Sequence, residues 1–308
     1  MTPAAHTAVP PALSYELYPP TNARTEKAVL QVIDELAGTH PDYVSVTYSG
    51  TPERRQASVR LLEHLVHATR LRPLGHLTCV GETRESLYRL VNLLVGLGVR
   101  GVLAMRGDLP ADPGAFRGEL PFARYLVELI REIEDQHSAA LAGGRMAVGV
   151  AAYPNRHPES PSFQHDIEVL VSKERSGANF AISQVYFNPA DYVQLVTAAR
   201  AAGVTIPIIP GIIPMSSQNR LQRLALMTGV HPDPALLHRL EIAGSDAERR
   251  RIGVDAAVAL ARAAFDAGAP GLHLYTFNEA RACVEIVEAL NLPASRALPP
   301  VPHPAISA

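Results

Sequence analysis

The feature that most limits how this chain can fold is a repeated unit: an amphipathic segment that ends in glycine, followed at once by a short β-rich run. It occurs in "GLGVRGVLAM", "RSGANFAISQ", "RAAGVTIPIIP" and "FDAGAPGLHLY". Gly98, Gly177, Gly203 and Gly268 fit the left-handed position just past a helix C-terminus, which a side chain disfavours. Strands are expected at Leu13–Tyr18, Tyr43–Thr47, Gly75–Cys79, Gly101–Met105, Ala147–Ala152, Phe180–Val185, Ile206–Pro210 and Gly271–Thr276. Segments of helical period lie between them, such as "TEKAVLQVIDELA" and "RESLYRLVNLLVGLG". Eight strands, each followed by helix, predict a single-domain α/β fold, the (β/α)8 TIM barrel. An open doubly wound sheet is the alternative, but no G-x-G-x-x-G follows any strand.

The expected barrel spans residues 13–292. Residues 1–12 and 293–308 are proline-rich, lack periodicity and read as loosely ordered tails. Pro232 to Ala267 reads as two or more helices. Gly107 to Glu119 is a Pro/Gly-rich loop, and a loop of that length is usually functional.

Charge narrows the function. A net charge of −2 and a pI near 6.6 give no basic surface for nucleic acid and no polybasic cluster for a membrane. Cys79 and Cys283 are too few for a Cys-based metal site, and no metal is expected; one disulfide is arithmetically allowed. There is no signal peptide in "MTPAAHTAVPPA" and no apolar run of bilayer length, so the expected location is cytoplasmic.

In an α/β barrel the active site lies at the C-terminal strand ends. Those ends supply Glu16, Thr47, His76, Arg106, Asp108, Tyr153, His157, Gln184 and Tyr275. Glu16 stands out in "LSYELYPP". Period-2 alternation puts Leu13, Tyr15 and Leu17 toward the helices, and Ser14, Glu16 and Tyr18 toward the barrel axis. A carboxyl on that axis would be desolvated, hold its proton at neutral pH and be able to donate it. Each residue also has a plainer reading. Glu16 could pair with a buried cation, Arg106–Gly107–Asp108 could be a turn, and His76 could be a core histidine. Asp166 and Lys173, seven apart on a helix, could be a solvated face. No HExxH, GxSxG or Walker loop is present. Spacing alone therefore reads as a barrel enzyme of unnamed chemistry.

The motifs "SYELYPP", "DYVSVTY", "GHLTC", "AMRGDLP", "VAAYPNRHPES", "GANFAISQVYFN", "IPIIPGIIP" and "GLHLYTFN" occur in order from about Leu13 to Leu292. Together they resemble the catalytic domain of the methylenetetrahydrofolate reductase family in its short bacterial form. The resemblance implies a (β/α)8 barrel that binds FAD and takes hydride from NADH or NADPH. It delivers the hydride to 5,10-methylenetetrahydrofolate, a folate substrate, in a ping-pong scheme. It implies that Glu16 is the acid that opens the folate ring and that Asp108 lies near flavin and pterin. FAD contacts fall on Thr47, His76, Arg106, Gly107, Tyr153, His157, Asp166 and Lys173, with Phe122 and Ala123 flanking the cofactor. Arg106 and Lys173 would meet its pyrophosphate. Gln184, Tyr275 and Gln218 fall on the substrate side.

The chain also departs from the family pattern. Gln218 stands where an aromatic is frequent, Ser172 where some members carry a basic residue, and Glu279 where others carry Arg. The "TYSGTPERR" loop is shorter than usual. These departures keep two alternatives open: a flavin-free enzyme passing hydride directly to the folate, and a related barrel reductase acting on another one-carbon carrier. Self-association is left open.

Overall fold

The structure, a computed structural model, describes residues 10–292 except 49, 50, 113, 138, 140 and 142. The two expected tails therefore fall almost wholly outside the described residues. The chain alternates strand and helix from the start. It runs β1 (Ala12–Leu17), α1 (Ala23–Ala37), β2 (Tyr43–Val46), α2 (Pro52–Ala68), β3 (Pro73–Thr78), α3 (Arg84–Gly96), β4 (Gly101–Met105), α4 (Ala123–Gln136), β5 (Ala147–Ala152), α5 (Phe163–Arg175), β6 (Phe180–Ser183) and α6 (Pro189–Ala201). Then follow β7 (Ile208–Ile209), β8 (Gly211–Ile212), α7 (Gln218–Thr228), α8 (Pro234–Ile242), α9 (Asp246–Asp266), β9 (Gly271–Tyr275) and α10 (Ala280–Leu290). The four glycines of the repeated unit sit just past their helices with φ between 83° and 109°.

Every strand pairing is parallel, in the order β7-β6-β5-β4-β3-β2-β1-β9-β8. Since β7 and β8 are consecutive in the chain, the sheet curls into a barrel of eight staves. The seventh stave corrects the sequence reading, which had one continuous strand over Ile206–Pro210. Pro210 has no N–H to give and divides the stave. The half before it pairs with β6 and the half after it with β9. The Pro210 carbonyl still accepts from His273 N at 3.0 Å.

Two cores follow from the period of 2. Outward side chains such as Tyr15, Leu17, Val44 and Val46 pack against helix faces such as Val29, Ile33 and Leu36 of α1. Helix α1 starts at a capping box, in which Asn22 accepts from Thr25 N at 2.9 Å. Inside the barrel a separate cluster of Leu74, Leu103 and Ile182, with Tyr43, Met105 and Phe180, fills the β3–β6 side. On the β1, β2 and β9 side the inward residues are Ser14, Glu16, Ser45 and His273, with His76 from β3; all are buried. Cys79 and Cys283 are both buried and free, so the allowed disulfide is not formed.

Candidate active site

Glu16 is 6% exposed and closes the upper part of the barrel axis. Its backbone carbonyl accepts from Thr276 Oγ1 at 2.6 Å, which locks the end of β1 to the end of β9. Its carboxylate has His76 Nε2 at 3.6 Å, too long for a hydrogen bond. Burial pushes the Glu16 acid up to about 8. The same burial pushes the imidazoles of His76 and His273 down to about 3. Among the described residues no Lys or Arg pairs with Glu16, so the buried cation of the plainer reading is not there, and burial favours the neutral form of both the acid and the imidazole. Tyr18 was expected to share the inward face, but it lies past the strand and is 41% exposed. Its ring stacks on Phe277 at 6.1 Å.

A different chemistry lines the β4–β5–α5 side. Arg106 leaves β4 and grips Glu159 with two hydrogen bonds of 2.6 and 2.8 Å. His157 N donates to Asp166 Oδ2 at 2.9 Å, and the His157 ring meets Tyr153 edge-on at 4.7 Å. Burial, and secondarily Arg106, hold His157 below its ordinary range. Lys173 is 8% exposed, so it is no solvated face. Its ammonium donates to Ala151 O at 2.8 Å and lies 5.9 Å from the Tyr153 ring. Burial lowers it to about 8, and Asp166 works against that shift. Asp108 is exposed at the mouth.

The rim joins β6, β9 and α7. Tyr275 Oη donates to Ser183 O at 2.9 Å. Its ring lies flush on Gly211, where any Cβ would come within 2.3 Å of Ser183 O and 2.6 Å of the ring. Gln184 accepts from Val185 N through its side-chain oxygen, at 2.9 Å. Phe277 and Asn278 both take positive φ, 51° and 59°, which is uncommon for residues with side chains and marks a held conformation. Asn278 is held by accepting from Tyr18 N and donating to Tyr18 O, at 2.9 and 3.0 Å. Arg220 places its guanidinium 4.5 Å from the Phe277 ring centroid and grips Glu279 at 2.6 and 3.1 Å.

A family model for methylenetetrahydrofolate reductase matches residues 4–291. The chain belongs to the methylenetetrahydrofolate reductase family. It is 32% identical over 281 residues to the 5,10-methylenetetrahydrofolate reductase of Salmonella typhimurium, covering 91% of this chain and 90% of that one. The Escherichia coli enzyme of the same name is 31% identical with the same coverage. A Caenorhabditis elegans protein described as a probable methylenetetrahydrofolate reductase (NADPH) is 28% identical, over 91% of this chain and 42% of its own length. Among solved structures, an uncharacterized Clostridium thermocellum protein described as binding two copies of 5-methyl-5,6,7,8-tetrahydrofolic acid superposes with a TM-score of 0.63. Its identity is 13%, and the match covers 92% of this chain and 94% of that one, a likeness of fold. Methylenetetrahydrofolate reductases are oxidoreductases, so this chain is an enzyme of that class.

The structure brings together only some of the residues that the family motifs point to. Arg106, Tyr153, His157, Asp166 and Lys173 come together on the β5–α5 side, with Gly107 and Asp108 directly after Arg106. His76 turns away from them, into the axis beside Glu16. Thr47 binds the end of β1 through Leu17 O. Phe122 is the exposed N-cap of α4 and Ala123 its buried first residue. Gln218 opens α7 at the rim. Ser172 meets Arg124 Nη1 at 3.4 Å, so a cation stands next to the position where a basic residue is missing. Sequence reasoning missed Arg220, Glu159 and the inward group Ser45 and His273. Ser45 and His273 each left a trace, being two residues before Thr47 and Tyr275 and so on the same face of their strands.

Proposed function

We propose that this protein reduces 5,10-methylenetetrahydrofolate to 5-methyltetrahydrofolate with NADH or NADPH, with FAD held at the mouth and Glu16 as general acid. The observation that carries this reading is a carboxyl buried at a barrel strand's C-terminal end with no Lys or Arg paired to it among the described residues, in a member of this family. A carboxylic acid that is neutral at neutral pH has a proton to give. The substrate's five-membered ring opens to an electrophilic iminium when its leaving nitrogen takes that proton. Hydride then adds to the iminium carbon, giving the methyl group.

The β4–β5–α5 side fits FAD. Lys173 is a buried ammonium whose hydrogen bond is to a backbone carbonyl rather than to a carboxylate, which suits a pyrophosphate oxygen. Arg106 stands beside it and would offer its planar fork in exchange for Glu159. Gly107 has a φ of 87°, and a Cβ on it would come within 3.1 Å of the Thr78 side chain, so glycine keeps the loop low there. Thr47, His76, Phe122, Ala123, Tyr153, His157 and Asp166 would complete the contacts. When bound there, FAD would supply a two-electron relay between nicotinamide and folate. The Asp108 carboxylate would favour the cationic iminium over its neutral precursor. Gln184, Tyr275 and Gln218 would border the folate. Arg220, stacked on Phe277, would be the cation for the carboxylates of its glutamate tail, the part Glu279 cannot play.

One observation favours a second reading, direct hydride transfer without flavin: the Arg106 fork is already filled by Glu159. A spectrum of the purified protein separates the two. Absorption of oxidised flavin, with FAD released on denaturation, supports the first. A colourless protein that oxidises NADPH only when methylenetetrahydrofolate is present supports the second. A protein that reduces no tetrahydrofolate derivative under either condition contradicts both.

A further inference from the structure

The barrel axis beneath Glu16 holds more hydrogen-bonding capacity than its side chains use. Four buried polar atoms there make no hydrogen bond: Ser45 Oγ, His76 Nε2, His273 Nε2 and the Tyr43 hydroxyl. The Tyr43 hydroxyl faces Ser14 without closing a hydrogen bond. The strand register brings these groups together. Glu16 lies opposite Ser45 on one side and Tyr275 on the other, while Ser14 lies opposite Tyr43 and His273. The His273 ring is 6.3 Å from Tyr43 and 5.0 Å from Tyr275.

His273 is fixed from one end. Its Nδ1 is 2.8 Å from Ser14 Oγ, and that hydroxyl donates to Leu272 O at 3.3 Å. With the hydroxyl proton given to Leu272, Nδ1–H is the donor to Ser14 and Nε2 is a bare acceptor. In the other tautomer Nε2–H is a bare donor. Either way Nε2 points at the axis with nothing to bond. Buried polar atoms are seldom left so, and a buried water typically takes two to four of them as partners.

We propose that these unpaired polar groups beneath Glu16 form a binding site for ordered water, held by Ser45, His76 and His273, and that its uppermost water hydrogen-bonds the Glu16 carboxyl from below and so allows the acid to release its proton. The water site stands by itself; its catalytic use rests on the role given to Glu16 above. A carboxyl surrounded only by apolar groups keeps its proton far above neutrality, because the ion it would leave has no solvation. The groups facing Glu16 are His76 from β3, Tyr275 from β9 and Tyr18 just past the end of β1, with Tyr43 and His273 one layer deeper. None of these is a cation at neutral pH. When the Glu16 O–H bond breaks and an N–H bond forms on the folate, the carboxylate keeps the electron pair. A water O–H from this site then meets the new charge. Solvent returns the proton after product leaves.

The test uses purified protein without added folate or nicotinamide. The Glu16 carboxyl is titrated by infrared difference spectroscopy, with its band assigned by its loss in Glu16→Gln. The comparison is with Ser45→Ala and His273→Phe. The expected result is a higher midpoint in both, by about one pH unit for His273→Phe and less for Ser45→Ala. Water-to-ring nuclear Overhauser effects at His76, present in the wild type, should weaken in parallel. Ser45→Ala removes one hydroxyl and almost no volume, so it remains readable if His273→Phe fails to fold. An unchanged midpoint in folded Ser45→Ala, together with no long-lived water at the His76 ring of the wild type, would overturn the proposal. Failure of methylenetetrahydrofolate reduction would instead count against the catalytic reading and leave this titration as it stands.

Discussion

On the β1–β3 and β9 side of the barrel, Glu16, His76 and His273 are buried without an ion of opposite sign, and burial leaves all three neutral near pH 7. On the β4–β5–α5 side the groups are as crowded, yet charge persists. Arg106 is gripped by Glu159, and Asp166 holds up the ammonium of Lys173 against its burial. The contrast lies in the partners. Desolvation with no counter-ion moves the proton equilibrium until the charge is gone, whereas a counter-ion or a fixed dipole lets the charge stay. One wall is thereby suited to giving a proton, the other to holding an anion.

The largest expected effect breaks the neutral wall. Glu16→Gln keeps size and polarity but has no proton to donate. Methylenetetrahydrofolate reduction should fall by roughly two orders of magnitude or more, the usual worth of a positioned general acid. NADPH oxidation with an artificial electron acceptor should persist. Parallel loss of both activities, with a lowered melting temperature, would mean that Glu16 serves the fold instead.

The charged wall should fail differently. Lys173→Met, which keeps the volume and removes the charge, should weaken FAD by about 1.5–3 kcal/mol, the scale of a charge-assisted hydrogen bond. Cofactor content after dilution and gel filtration reads this directly, and full retention would remove Lys173 from the cofactor site.

Stability should also depend on pH in a way that separates the walls. Between about pH 4.5 and 8 the fold keeps Glu16 protonated while the unfolded chain does not, so stability falls as pH rises. His76 and His273 stay neutral in the fold down to about 3, against 6.5 when unfolded, so their contribution is lost as pH falls below about 6.5. The two slopes oppose each other at mildly acid pH, and from 6.5 to 8 the Glu16 slope stands alone. Glu16→Gln should flatten that stretch, by at most about 1.4 kcal/mol per pH unit. Urea titrations at several pH values measure it, and identical wild-type and mutant slopes would contradict a neutral Glu16.

The smallest effect is at the rim. Arg220→Ala should raise the KM for methylenetetrahydrofolate about fivefold with little change in kcat, the worth of one partly exposed charged contact. Glu279→Gln, which loosens the grip on Arg220, should lower it. If a folate lacking its glutamate shows the same Arg220 effect, the tail is not what Arg220 holds.

Much of this was legible in the sequence. Glycine after four of the helices marked the strands that follow them, because the left-handed turn there admits little else, and period 2 put Glu16 on the axis. The split of the seventh stave was not legible, because it depends on which neighbour each half of "IPIIPGII" meets. The burial of Lys173 was hidden for a similar reason. Seven residues along a helix fix a face but not what packs on it. Arg220 and Glu279 lie 59 positions apart, and Ser14, Ser45, His76 and His273 come from four strands. Only the register of the closed sheet joins them.

The most direct test of the division between the walls is the pH dependence of methylenetetrahydrofolate reduction in a single turnover, measured beside NADPH oxidation with an artificial acceptor. The folate rate should fall with one ionisation near pH 8, the break should vanish in Glu16→Gln, and the NADPH rate should cross that pH without it. A folate profile with no break there, or a break that survives in Glu16→Gln, would contradict the assignment of the proton to Glu16.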